Sequence, residues 1–187
     1  MNITGGVLNS RKIKIPPQEN IKPTLSKIRQ GIFNSLSTLI DFEGKSFLDM
    51  FSGSGIMSFE AYSRGFKVTG FEKDKLSLLG IRNNAKILGI EGLFLQGNAV
   101  KLISKCIKPF DIIYLDPPYE SELYDKALKV IKAEGHLNVN GLIVLERKEE
   151  KIIDYSGYKV IKTKNYADKV IEFLKIEEII LKGGFSK

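Results

Sequence analysis

The run FLDMFSGSGIMSFEAYSRGFKVTGFE, residues 47–72, decides the fold. It opens with a short apolar segment of the kind buried on both faces of a sheet. It then turns through Gly53 and Gly55 and continues with helical spacing. A second Val/Phe-rich segment follows and ends on an acid, Glu72. Strand, glycine turn, helix and strand make one βαβ unit, and the same alternation runs on to residue 146. The pattern predicts strands at 47–50, 67–71, 93–96, 111–115 and 142–146, with helices at 56–64, 75–88, 99–107 and 121–133 between them. Two further strands, 158–164 and 170–176, are separated only by a turn at 165–168, so an antiparallel hairpin is expected to close one edge. The fold class is therefore α/β: a doubly wound, mostly parallel, seven-stranded sheet with right-handed crossovers.

Upstream of this unit the pattern differs. Gly5-Gly6 punctuates an arm, Ile13 and Ile15 alternate with Lys12 and Lys14, and Pro16-Pro17 ends it. A helix is expected from Pro23-Thr24, with Leu25, Ile28, Ile32, Phe33 and Leu36 on its apolar face. The chain thus divides into a basic arm and helix (residues 1–40) and a sheet domain (41–187). The arm and helix carry most of the charge excess. Residues 1–37 hold six basic side chains against one acidic, residues 38–150 hold 15 against 16, and residues 151–187 hold eight against five. Basic ends around a neutral middle suit a polyanion, because clustered lysine and arginine displace counterions along a phosphate backbone. A lysine-rich surface without a partner would look the same, since 24 of the 29 basic residues are lysine.

Composition excludes several classes. With 43% apolar and 27% charged residues over 187 positions, the chain has the content of a packed domain and not of a disordered or fibrous one. No apolar run reaches the ~18 residues needed to cross a bilayer, and the first twenty residues lack the core of a signal peptide. One cysteine (Cys106) and one histidine (His136) make neither a disulfide framework nor a zinc site. The expectation is a cytoplasmic protein without a metal.

Open α/β sheets bind ligands beyond the C-terminal ends of their strands, where the strand order reverses. Two loops and one acid stand there. The first loop, Asp49 through Gly55, has glycines that admit a ligand to the backbone and leads into a helix N-terminus with free N–H donors. An ordinary strand-to-helix turn would share these features. Glu72, nineteen positions after Gly53, sits near the ~20-residue spacing of a carboxylate that accepts ribose hydroxyls. Loop and acid together favour an adenosine-containing ligand. The second loop is Asp116-Pro117-Pro118-Tyr119, directly after a predicted strand. Its chance occurrence at a given position is on the order of one in 10⁵. It holds a carboxylate, a rigid carbonyl without an N–H, and an aromatic ring within a few residues. That set suits a planar amine, with two acceptors for two N–H groups and a face for stacking.

These residues resemble the class I S-adenosylmethionine-dependent methyltransferases. Within them the chain is similar to the bacterial family that methylates the exocyclic N2 of a guanine in 16S ribosomal RNA. The resemblance covers nearly the whole chain: Gly5-Gly6, Ser10-Arg11-Lys12 and Ile15-Pro16 in the arm; Lys22-Pro23-Thr24, Arg29 and Ile32-Phe33-Asn34 at the helix; Leu48 through Gly55, Glu60-Ala61 and Ser63-Arg64-Gly65; Glu72; Asn98-Ala99; and Asp116 through Tyr119. It implies S-adenosylmethionine as methyl donor, S-adenosylhomocysteine as product, and no metal. Asp49, Phe51, Ser52, Gly53 and Gly55 would hold the methionine end and ribose, Glu72 the ribose hydroxyls, and Asn98-Ala99 the adenine. Asp116, Pro117, Pro118 and Tyr119 would form the catalytic turn. Arg11, Lys12, Lys14, Lys22 and Arg29 would meet the RNA, with Arg29 alternatively reaching the methionine carboxylate. The partner would be 16S rRNA or a partly assembled small subunit, met by a monomer. The family pattern has arginine where Lys22 stands. Its late Tyr-Gly-x-Thr appears here as Tyr166-Ala167-Asp168-Lys169, so no role is carried onto those positions. A DNA adenine-N6 methyltransferase shares the catalytic turn but usually carries a larger target-recognition segment, and a nucleotide-binding RNA chaperone without turnover would not need the turn intact.

Overall fold

The computed structural model describes residues 1–14, 24–118 and 122–177. Lys22 and Tyr119, both expected to meet substrate, lie outside the described residues. Among the described residues five helices and seven strands follow in chain order: α1 (Ser26–Leu36), β1 (Ser46–Asp49), α2 (Ile56–Ser63), β2 (Lys67–Glu72), α3 (Lys75–Leu88), β3 (Gly92–Gln96), α4 (Ala99–Ile103), β4 (Phe110–Leu115), α5 (Leu123–Ala133), β5 (Leu137–Lys148), β6 (Tyr158–Tyr166) and β7 (Lys169–Ile176). The strands form one sheet in the order β3-β2-β1-β4-β5-β7-β6. The first five are parallel; β7 pairs antiparallel with β5 and with β6. Among the described residues no helix is long and apolar enough to cross a membrane.

The near-continuous apolar strands have a simple cause. Successive side chains point to opposite faces, and both faces are covered. Phe47, Ile112, Leu142 and Val144 join the core under α1, α2 and α3, whereas Leu48, Ile113, Ile143 and Leu145 join the core under α4 and α5. Helix α3 matches its sequence limits because both ends are signalled chemically. The Asp74 carboxylate accepts from Ser77 N–H at 2.7 Å, and Gly89 stops the helix in the left-handed conformation. Helix α4 is shorter than expected and ends at Ile103; Ile107 is fully exposed, with no core surface to hold it in a helix.

The hairpin is more deeply built in than an edge cap. Its second strand, β7, inserts between β5 and β6, and β6 becomes the edge. Val170, Ile171, Phe173 and Leu174 of β7 are all buried, which requires cover on both faces. Strand β6 carries Lys159, Lys162 and Lys164, a composition that discourages further strand pairing at a free edge.

The arm is part of the core. Residues 1–14 fold back on themselves through a bridge between Asn2 and Lys12, and Ile3 and Ile13 are buried beside α1 and α2. Helix α1 starts at Ser26, and Leu25, expected on its apolar face, is 67% exposed at the cap position.

Arg29 requires the larger correction. It was expected at the RNA or at a carboxylate of the ligand, yet it is 2% exposed and fully engaged inside the protein. Its Nε donates to Glu60 Oε1 at 2.8 Å, Nη1 to the Thr24 carbonyl, and Nη2 to the Asn2 carbonyl at 2.7 Å. Glu60, wholly buried on α2, also accepts from Arg64 and from the N–H and hydroxyl of Thr4. A guanidinium on the inner side of α1 finds this carboxylate sooner than any solvent-borne anion. Removing one partner of such a group strands the other in low dielectric, at a cost of about 3–5 kcal/mol. Arg29→Met therefore lowers the unfolding free energy by about 3 kcal/mol in urea titrations, whereas Lys27→Ala, on the exposed side of α1, changes it by less than about 0.5 kcal/mol.

Candidate active site

A cavity of about 770 Å³ opens beyond the C-terminal ends of the parallel strands, where β1 is followed on one side by β2 and on the other by β4. Its walls bring together Asp49, Phe51, Ser52, Gly53, Glu72, Asn98, Ala99, Asp116, Pro117 and Pro118, which the sequence leaves scattered over seventy positions. Gly55 stands just behind this wall.

The glycine loop is held by one side-chain and two backbone hydrogen bonds. Ser52 Oγ donates to the Asp49 carbonyl at 3.0 Å, Ser52 N–H to the Phe71 carbonyl at 2.9 Å, and Gly55 N–H to the Ser52 carbonyl. Gly55 has φ +78°, and a Cβ there would meet Ile81 and Phe59 at about 3 Å, so only glycine fits. Gly53, at φ +51°, faces open space. A ligand can therefore lie directly on its backbone.

Asp49 ends β1 at 1% exposure. Its Oδ2 accepts from Ser58 Oγ at 2.9 Å and Ser58 N–H at 3.2 Å, while Oδ1 has no partner among the described residues. Burial, opposed by the Ser58 bonds and reinforced by Glu72, raises its pKa to about 7. A buried carboxylate oxygen on a cavity wall without a donor suits a cationic ligand group such as an ammonium. Glu72 is oriented by backbone donors: Oε2 accepts from Gly53 N–H and Oε1 from Asp74 N–H, both at 2.7 Å. Partial burial pushes its carboxyl upward against those bonds. Each oxygen keeps a lone pair, as acceptance of two vicinal hydroxyls requires. Asn98 serves first as the cap of α4, accepting from Lys101 N–H at 3.1 Å. Its carboxamide oxygen keeps a second lone pair and the amide its hydrogens, so it can accept from an exocyclic amine or donate to a ring nitrogen. The site thus fits an adenosine ligand carrying an ammonium: paired acceptors, an orphan carboxylate oxygen, an open glycine and the apolar Met50, Met57 and Phe71 on the walls.

Asp116 follows β4 directly and is partly exposed into the same cavity. Burial first, then Glu146, pushes its carboxyl well above the ordinary range, and Lys169 opposes them. Pro117 is buried and Pro118 exposed, so the turn runs from the sheet to the surface. Arg11, Lys12 and Lys14 are exposed on the arm. Four side chains near the turn escaped sequence reading. Thr24 and Tyr114 line the cavity, and Glu146 and Lys169 lie behind them. Glu146 carried the one available signal, an acid ending a buried strand at the ligand-binding edge.

Comparison with known proteins gives the family. A family profile described as conserved hypothetical protein 95 matches residues 1–175. Ribosomal RNA small subunit methyltransferase D of Buchnera aphidicola subsp. Acyrthosiphon pisum is 33% identical over 167 residues, 87% of this chain and 86% of that protein. The protein of the same name from Escherichia coli K12 is 29% identical over 152 residues, covering 80% and 76%. The solved structure of yhhF from Escherichia coli superposes with a TM-score of 0.83 over 95% of this chain and 98% of its own, at 24% identity, and shares the fold. On the match over residues 1–175 and the extent of the likeness to these enzymes, the chain belongs to the conserved hypothetical protein 95 family, that of the small-subunit ribosomal RNA methyltransferases D among the class I methyltransferases.

Proposed function

We propose that this protein transfers a methyl group from S-adenosylmethionine to the exocyclic N2 of a guanine in 16S ribosomal RNA, free or in a partly assembled small subunit, working as a monomer in the cytoplasm. The observation that carries the reading is one cavity whose walls hold an orphan buried Asp49 oxygen, a backbone-oriented Glu72 and the Asp116-Pro117 turn. The relatives named as small-subunit rRNA methyltransferases support the substrate class.

S-adenosylmethionine supplies a methyl group on a cationic sulfur, already activated for in-line displacement. The chain's own residues then have two tasks. Asp49 takes the ammonium of the donor, Glu72 its ribose hydroxyls, and Asn98-Ala99 its adenine. Asp116 and the Pro117 carbonyl each accept one N–H of the guanine amine. This turns a lone pair otherwise delocalised into the ring toward the methyl carbon. The base is swung out of its stem or loop to reach them, and Tyr119 stacks on it. Positioning of this kind contributes several kcal/mol. The sulfur would leave as S-adenosylhomocysteine and the methylated amine would pass its proton to water, so no strong base is needed.

The test is transfer of labelled methyl to rRNA or small subunits from cells lacking the gene, followed by mapping of the modified nucleotide. Incorporation as N2-methylguanine is expected; a labelled adenine or protein instead overturns the reading. Arg11, Lys12 and Lys14 are read as RNA contacts. Their triple replacement by alanine raises the KM for RNA several-fold and flattens its salt dependence, with kcat unchanged. Deleting the arm would be the wrong test, since Ile3 and Ile13 belong to the core.

A further inference from the structure

Behind the Asp116 turn lies a buried polar network that the transfer reaction as described does not use. Glu146 is 0% exposed near the end of β5. Strand pairing sets Lys148 opposite Lys169 and Glu146 opposite Ile171, so Lys169 and Glu146 are diagonal neighbours. The buried Lys169 Nζ donates to Glu146 Oε1. Glu146 Oε2 accepts from the Tyr114 phenol at 2.7 Å and from the Thr24 hydroxyl at 3.4 Å. Tyr124 Oη donates to the Glu146 carbonyl at 2.8 Å. Tyr114 and Thr24 share the cavity wall with Asp116, and Tyr114 precedes it by two residues along β4.

Stability alone gives little reason for this pair. A buried ion pair is often no better for folding than well-packed apolar residues of the same volume. We propose that the Glu146–Lys169 ion pair is a positioning device for Asp116: β4–β5 pairing ends at Leu115 and Leu145, which sets Asp116 beside Glu146, and Lys169 draws off part of that carboxylate's repulsion so that Asp116 can serve as an acceptor for the substrate amine. The proposal rests on the function given above, in which Asp116 accepts an N–H.

The charged and titratable groups acting on Asp116 come from four strands: Asp49 of β1, Tyr114 of β4, Glu146 of β5 and Lys169 of β7. Burial and Glu146 hold the Tyr114 phenol protonated. Among the described residues acting on Asp116, Lys169 is the one cation, set against the carboxylates of Glu146 and Asp49. With the pair intact, Lys169 offsets only part of the upward push that burial and Glu146 exert on the Asp116 carboxyl. Without Lys169 the carboxylates share a buried site that favours a proton, and a protonated Asp116 loses acceptor capacity.

The two halves of the pair therefore have opposite signatures. In the pH profile of methyl transfer to rRNA, Lys169→Met moves the acidic limb up by about one pH unit, and Glu146→Gln moves it down by a similar amount. The double variant falls between the two single variants, and Lys169→Arg keeps the wild-type limb. S-adenosylhomocysteine affinity stays within about threefold in every variant. A merely structural role would lower rate and stability without shifts of opposite sign. Should Lys169→Met fail to fold, Glu146→Gln and Lys169→Arg carry the comparison. The Asp116 carboxyl carbon, followed by NMR in the ligand-free protein, reads the same shifts without any turnover. If the wild-type protein methylates no rRNA, the functional reading fails, while the NMR titration still decides the inference. Limbs and titrations that are unmoved, or that move the same way in both variants, overturn it.

Discussion

Asp116→Ala lowers turnover by about 10²–10³-fold, the range seen when one preorganised hydrogen-bonding group is removed from a reacting centre. Affinity for S-adenosylhomocysteine stays within about threefold. The asymmetry follows from where the groups stand. Asp49, Glu72 and Asn98 line the part of the cavity built by β1, β2 and α4, while Asp116 and Pro117 follow β4. Alanine leaves the Pro117 carbonyl in place, so one of two acceptors survives. Asp116→Asn falls between wild type and alanine, because its amide oxygen accepts one hydrogen but the group cannot ionise as the nitrogen turns cationic. Single-turnover transfer and equilibrium titration on the same preparations separate the two quantities. A mutant with near wild-type turnover would remove the turn from the mechanism.

For Asp49→Asn the expected result is the reverse: S-adenosylhomocysteine binding collapses, by about 100-fold at pH 8, and its pH dependence goes with it. In the ligand-free protein Asp49 has a pKa of about 7, raised chiefly by burial. An ammonium at the unpartnered Oδ1 favours the ionised form. Wild-type affinity therefore rises from pH 5 to about pH 7 and levels off above, and asparagine removes this contribution to the slope. The same group acts on stability. A carboxyl whose folded-state pKa lies above its unfolded value binds an extra proton in the native state between about pH 4 and pH 7. Stability is then lost as pH rises through that window. Asp49→Asn escapes this loss, so its Tm relative to wild type climbs between pH 5 and pH 8. Thermal melts across that range check the sign; a Tm difference independent of pH would mean that Asp49 is already ionised in the empty site.

Much of the architecture was written in local pattern. Strand and helix alternate because each strand buries both faces and each helix one, and the residues along the chain repeat accordingly: Phe47 and Leu48, Ile112 and Ile113, Leu142 and Ile143 send neighbours into opposite cores. The limits of α3 were legible from an aspartate and a glycine. The glycine loop, Glu72 and the Asp116 turn were legible too, since a ligand-binding loop after a strand needs particular backbone freedom and particular acceptors within a few residues. Charge was less informative. Five basic residues were grouped by their nearness in sequence, yet helix geometry turns Arg29 inward onto Glu60 while Lys27, two residues earlier, faces solvent.

What the sequence by itself determined is whatever depends on neighbours along the chain: the α/β order, the glycine turn and the Asp116-Pro117 turn at the end of a strand. Only the tertiary structure decided which side chains meet across long separations. Thr4 reaches Glu60, Tyr114 reaches Glu146, and Lys169 crosses from β7 to the same Glu146 carboxylate. The physical reason is that a buried charge takes its partner from wherever packing brings a complementary group, and no periodicity along the chain records that choice.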